Sequence, residues 1–208
     1  MIHGMNTKPI FVADWTMQQA WRTEPEPDFQ PARVRVGWSQ DAMIVEAELP
    51  DRDIFNPVKE FNQAAFTSGD VFEIFLCPEW QEPYFEFHVT PDNQLFQLRF
   101  ANAQHRFHLP ETGTLDEQLA ELKIWKSKII TTTRVDTAAQ RWFVSATIPF
   151  AMIVETGVMK PGARWLCSFS RYDYTHGQSE PILSSTSPHA KCSFHRQEEW
   201  RPITFPGG

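Results

Sequence analysis

The chain has 208 residues, and 19 Lys and Arg against 26 Asp and Glu leave a formal charge of −7. That length suits one large domain, able to bury roughly 70% of its unfolded surface without disulfide staples. The acidic balance argues against a nucleic-acid partner, which needs a basic face, and 41% hydrophobic with 22% charged residues excludes fibrous and disordered classes. Seventeen Phe and eight Trp against three Tyr, with 16 Pro and nine Gly, suit pleated half-buried strands joined by many turns.

The opening, 10–21, carries Trp15 and Trp21 and leads into a Pro-acid stretch, Glu24 to Asp28, that fits neither helix nor central strand. Val34, Val36 and Trp38 alternate, 39–41 is a turn, and 43–49 alternates again, which predicts a hairpin. A Pro-interrupted loop or short helix fills 51–67. The strand 69–76 sets Phe72, Ile74 and Leu76 on one face and Val71, Glu73 and Phe75 on the other. After a turn containing Trp80, the strand 84–89 turns Phe85, Phe87 and Val89 to the core and Tyr84, Glu86 and His88 away. Beyond the turn 91–93, the strand 95–100 is read with Phe96, Leu98 and Phe100 inward and Gln97 and Arg99 outward. Three strands joined by short loops make an antiparallel meander.

Leu115, Leu119 and Leu122 at helical spacing predict a short helix over 114–125. A second hairpin follows from 129–135 and 142–148, then one helical turn at 149–153 and a break at Pro161 and Gly162. Trp165, Cys167 and Phe169 mark a strand that ends at Arg171, Tyr172 and Tyr174; 180–188 reads as loop, and a short strand lies near 200–205. Nine or more strands with no linker give one all-β unit over 1–208. The expected architecture is an antiparallel β-sandwich, jelly-roll or immunoglobulin-like, with one or two short helices.

Period-two alternation would place Glu73, Tyr84, Glu86, His88, Gln97 and Arg99 on one non-core face, with cross-strand neighbours about 5 Å apart. Carboxylate, guanidinium, amide and imidazole beside aromatic rings is the mixture a sugar requires: rings stack on its CH patches and planar polar groups bond its hydroxyls. Trp80 in its polar turn, and Tyr172 and Tyr174 beside Arg171, are further ligand-binding candidates. Trp15, Trp38, Trp142 and Trp165 are assigned to core. Glu73 and Glu86 could alternatively serve as the paired carboxylates of a glycosidase.

Cys77, Cys167 and Cys192 are too few and too scattered for a disulfide scaffold or zinc knuckle, and the seven His form no HExxH motif. Glu24, Glu26 and Asp28 near Asp51 and Asp53 could offer oxygens to calcium, but EF-hand spacing is absent and a solvated acidic loop is the reading. No metal ligand or cofactor is therefore assigned. The segment from Met1 to Val12 lacks a basic start followed by a long apolar run, and no stretch approaches the roughly 20 apolar residues that span a bilayer. The expectation is a soluble chain, cytoplasmic unless a leader has been removed.

The sequence resembles family 9 carbohydrate-binding modules and the DOMON-like domains built on the same sandwich. The anchors are 34–38 with the hairpin to Asp51, 69–76 with Pro78, 84–91, 141–150, 162–165, 168–171, and finally 185–188, Phe194, His195 and Phe205. The resemblance implies a non-catalytic module, of the kind associated with polysaccharide breakdown, holding a mono- or oligosaccharide on an exposed sheet face between two rings. Any calcium would be structural. It implies a sugar-holding role for Arg99 and a ligand-facing strand at 168–171, with Ser where the family often has Asn. No Trp stands in the segment just before Gly69 and Asp70, where the resemblance expects one clamp ring, so Phe61 or Phe66 would supply it. Some DOMON-like relatives hold haem, for which Met43 and His88 would be the available ligands.

Overall fold

The computed structural model describes residues 8–39, 41–154 and 162–205; Met1–Thr7 of the segment read for a leader, and Pro161 of the expected break, lie outside them. Strands β1 (Ile10–Thr16), β2 (Arg33–Trp38), β3 (Ala42–Pro50), β7 (Ile130–Asp136) and β8 (Arg141–Pro149) form one sheet in the order β1-β2-β3-β8-β7. Strands β4 (Val71–Pro78), β5 (Tyr84–Val89), β6 (Leu95–Phe100), β9 (Arg164–Asp173) and β10 (Ile182–Ser185) form the other in the order β10-β9-β4-β5-β6. The last strand, β11 (Arg201–Thr204), also pairs with β9, beyond the residues that β10 uses. All pairings are antiparallel. The architecture is an all-β sandwich with two short helices, α1 (Leu115–Gln118) and α2 (Phe150–Ile153).

The inner faces of the sheets meet as alternation demands. Val34, Val36, Val45 and Leu49 of one sheet pack with Phe72, Ile74, Phe87 and Phe169 of the other. Trp142 and Trp165 lie wholly inside this core, while Trp15 and Trp38 are half-buried at its margin. The helix expected over 114–125 is shorter: a Thr114–Glu117 capping box starts it, and after one turn it tightens into a 3₁₀ turn at Ala120–Leu122. Leu119 and Leu122 are drawn down onto the second sheet instead of continuing the helix. The segment read as loop contains β10, a four-residue edge strand whose two serines hide the alternation.

The expectation of one open polar face fails on β6. Its register pairs Phe96 with His88, Leu98 with Glu86 and Phe100 with Tyr84. The two β6 rings and Leu98 therefore lie on the same side as the polar residues, not in the inter-sheet core. A one-residue change of phase moves every side chain across the sheet. The reading assumed that apolar residues must seek the inter-sheet core, whereas the outer face carries a second core of its own. There Phe75, Tyr84, Phe96, Leu98 and Phe100 pack under Leu119, Leu122, Phe194 and Trp200. The polar face is covered.

Part of that cover comes from the loop after β3. Gly69 lets it lie close, because a Cβ there would sit 2.7 Å from the Asn56 Cα. The same loop delivers Phe66 over the sheet, its ring 5.4 Å from that of His88.

Candidate functional site

Beneath this cover, strand register sets Glu73 opposite His88 on one side and Ser170 on the other. His88 Nε2 lies 2.5 Å from a Glu86 oxygen and 3.3 Å from a Glu73 oxygen. His195, on the loop before β11, brings Nε2 within 3.8 Å of the other Glu86 oxygen. Its Nδ1 stands 3.0 Å from the Tyr84 hydroxyl. Glu73, Glu86 and His88 are 2%, 4% and 0% exposed. Even so, Glu73 Oε2, Glu86 Oε2 and His88 Nδ1 have no hydrogen-bond partner among the described residues. Buried polar atoms are normally satisfied, so orphan atoms in one cluster point to a bound group.

The electrostatics divide the two carboxyls. Burial dominates at Glu73 and pushes its pKa up to about 8. Burial also opposes the Glu86 anion, but His195, the His88 hydrogen bond and Arg106 outweigh it and hold that pKa below the usual value. Burial pushes His195 down to about 4, whereas at His88 the two carboxylates overcome burial and raise it. One carboxyl carries its proton near neutrality and the other does not.

A cavity of about 240 Å³ opens onto this cluster, with Glu73 and Glu86 in its floor and Phe66, Tyr172, Phe194, Arg106 and His195 in its walls. Drug-sized ligands occupy roughly 300–1,000 Å³, so a small ligand is indicated. Phe66 and Tyr172 have ring centroids 5.6 Å apart and Tyr172 and Phe194 5.9 Å. At those separations the rings touch each other. They form one continuous wall of the cavity, not a two-sided clamp.

Of the residues singled out from sequence, Glu73, Glu86, His88 and Tyr172 meet here. Tyr84 contributes only its hydroxyl: its ring is buried, stacked 4.5 Å from that of Phe100. Gln97 and Arg99 pair with Phe87 and Phe85 and so project from the opposite face of the sheet. Gln97 is buried there and Arg99 is exposed. Arg171 lies opposite Phe72, also on the inner side, where it is buried in ion pairs. Tyr174 anchors the loop by donating its hydroxyl to the Phe66 carbonyl oxygen, 3.0 Å away. Trp80 is 45% exposed and edge-on to Trp165 at 6.2 Å, closing the end of the inner core away from the cavity.

Sequence reasoning missed Arg106, the guanidinium that lines the cavity where Arg99 does not. Its 3₁₀ turn at His105–His108 has no periodic signal. Phe194 and His195 appeared only as part of a resemblance. The Met43 and His88 pair for haem does not form, because Met43 belongs to the inter-sheet core and His88 to the other face of its sheet.

A second acidic group, Asp51, Asp70 and Asp173, gathers at the end of the inner core with oxygens within 4.8 Å of one another. Calcium would need six to eight oxygens converging on it. Here the Arg171 guanidinium enters instead, 2.9 Å from Asp51 and 3.1 Å from Asp173, while Asp70 accepts backbone N–H groups from Phe55 and Tyr174. The cluster does not fit calcium. Nor does the Pro-acid stretch: Glu26 bonds Gln19 and pairs with Arg22, Asp28 pairs with Arg52, and Asp53 bonds His176.

One guanidinium against three carboxyls leaves this group proton-hungry. Burial and the Asp51 charge push Asp70 up to about 8, and burial pushes Asp173 up to about 7. Carboxyls whose pKa is raised by folding stabilise the fold at low pH and lose that contribution as pH rises through the folded value. Melting temperature should therefore fall between about pH 4, where the unfolded carboxyls ionise, and about pH 8, and level off above it. Asp173→Asn should flatten the decline in a thermal-unfolding series; an unaltered slope would remove this cluster as its source.

No family model and no curated protein matches the chain. Solved structures do. A family 9 carbohydrate-binding module from Caldicellulosiruptor kristjanssonii, in complex with cellotriose, superposes with a TM-score of 0.55 at 14% identity over 85% of this chain and 75% of that one. The chain shares the sandwich fold of family 9 carbohydrate-binding modules. The same module in complex with glucose gives a TM-score of 0.56 at 14% identity, over 85% of this chain and 77% of that one. A provisionally assigned carbohydrate-binding protein from Bacteroides uniformis gives 0.62 at 14% identity, over 95% of this chain and 84% of that one. Among the described residues no helix is long and apolar enough to cross a membrane.

Proposed function

We propose that the chain binds a carbohydrate, without catalysis, in the cavity over the outer face of the second sheet. The observation that carries this reading is the pair of orphan carboxyl oxygens, of Glu73 and Glu86, in the floor of a small aromatic-walled cavity. It is supported by a fold held in common with modules bound to cellotriose and glucose. Carboxylate oxygens accept hydrogen bonds from sugar hydroxyls, Arg106 donates in return, and Tyr172 and Phe66 offer ring surface to CH groups. The cavity volume favours one sugar unit, or the end of a chain, over an internal stretch of polymer. A hydrolase would need its two carboxyls to flank a glycosidic bond. Here His88 bridges them, which favours holding a ligand over cleaving one.

Titration calorimetry with glucose and short cello-oligosaccharides tests the proposal. Arg106→Ala and Tyr172→Ala should each weaken binding by about tenfold, the loss of one good contact worth about 1.4 kcal/mol. Arg99→Ala should leave it unchanged. No heat with any sugar in a broad mono- and oligosaccharide panel sinks the reading; so does weakening by Arg99→Ala alone.

A further inference from the structure

We infer that Glu73, Glu86, His88 and His195 form a site for one divalent transition-metal ion of the zinc class at the floor of the cavity. The inference goes beyond sugar binding and does not depend on it. Glu73, Glu86 and His88 each bring a ligating atom within 4.8 Å of the others. At zinc distances of roughly 2.0–2.1 Å, tetrahedral ligand atoms stand about 3.3 Å apart. The His88 Nε2 to Glu73 separation is 3.3 Å and the His195 Nε2 to Glu86 separation is 3.8 Å. His195 stands outside that trio, so admitting an ion requires its Nε2 to move inward from the cavity wall while the 2.5 Å approach of His88 to Glu86 opens.

Two further observations favour a cation here. The second oxygens of Glu73 and Glu86 are buried without a partner, and the cavity gives an entry path to both carboxylates. In addition, the Tyr84 hydroxyl lies on Nδ1 of His195. Its oxygen can accept a hydrogen bond from Nδ1–H and leave Nε2 free as a ligand, which is how outer partners fix metal-bound imidazoles. Imidazole nitrogens select against calcium and magnesium, which take oxygen ligands.

The test uses the full chain stripped with chelator. Titration with Co²⁺ should give one ion per chain and the visible absorption of a low-symmetry site. Zn²⁺ should displace Co²⁺ and raise the melting temperature, and Ca²⁺ should do neither. His195→Gln, on the cavity wall, and the isosteric Glu73→Gln should each lower Co²⁺ affinity at least tenfold, whereas Cys192→Ser should not. An absence of one-to-one binding overturns the proposal, as does binding unaffected by His195→Gln and Glu73→Gln. Loss of the ion with Cys192→Ser alone would assign it to that exposed thiol and overturn the proposal equally. Sugar titrations repeated in chelator keep the two readings separate, because the carbohydrate proposal stands or falls on that arm alone.

Discussion

Phe87→Ala should cost about 3–5 kcal/mol, the range for removing a fully buried ring from a core that cannot close over the gap. Phe87 is 0% exposed and points between the sheets with Ile74, its cross-strand partner, and Phe85. For a chain of this size the loss corresponds to a fall in melting temperature on the order of 10 °C. Calorimetric or fluorescence-detected unfolding measures it. A cost under about 1 kcal/mol would mean that β5 is turned the other way, and the outer cluster would turn with it.

The second large effect belongs to Arg171. Removing one partner of a buried charge group typically costs about 3–5 kcal/mol, because the opposing charges are left uncompensated. Arg171→Ala strands Asp51 and Asp173, and takes away the donor that reaches the Pro50 carbonyl at 2.5 Å. The destabilisation should be smaller at about pH 5 than at about pH 8, because protonated carboxyls need no counter-charge. Arg171→Lys should recover only part of the loss, since an ammonium cannot span two carboxylates as a planar fork does. Unfolding curves at the two pH values decide it. A variant of full stability that loses ligand binding would instead return Arg171 to the site.

These two residues also show what sequence could and could not reveal. Phe87 sits in a strand whose alternation is complete, so its direction follows from period two. Arg171 belongs to an equally regular strand, yet its inner phase matters only because Asp51 and Asp173 arrive from other turns. On β4 and β5 the reading of Glu73, Glu86 and His88 onto one face holds, and their contact is observed. On β6 the same rule misleads, because Phe96, Leu98 and Phe100 find an apolar partner layer outside the sandwich. Alternation tells which residues share a side. It does not tell which side faces the second sheet when both sides are greasy. Arg106 and His195 come from irregular segments, where no period exists to place them.

The Tyr84 to His195 hydrogen bond spans 111 residues, and it joins an interior strand next to the sheet's edge to a loop outside both sheets. Neither sheet requires that loop for its strand pairing. A single proteolytic cut between Lys191 and Arg196 should therefore abolish the proposed sugar binding while spectroscopy still reports an ordinary sandwich. Competence to bind and competence to fold would then be measured by different assays, and the first would be lost sooner under stress.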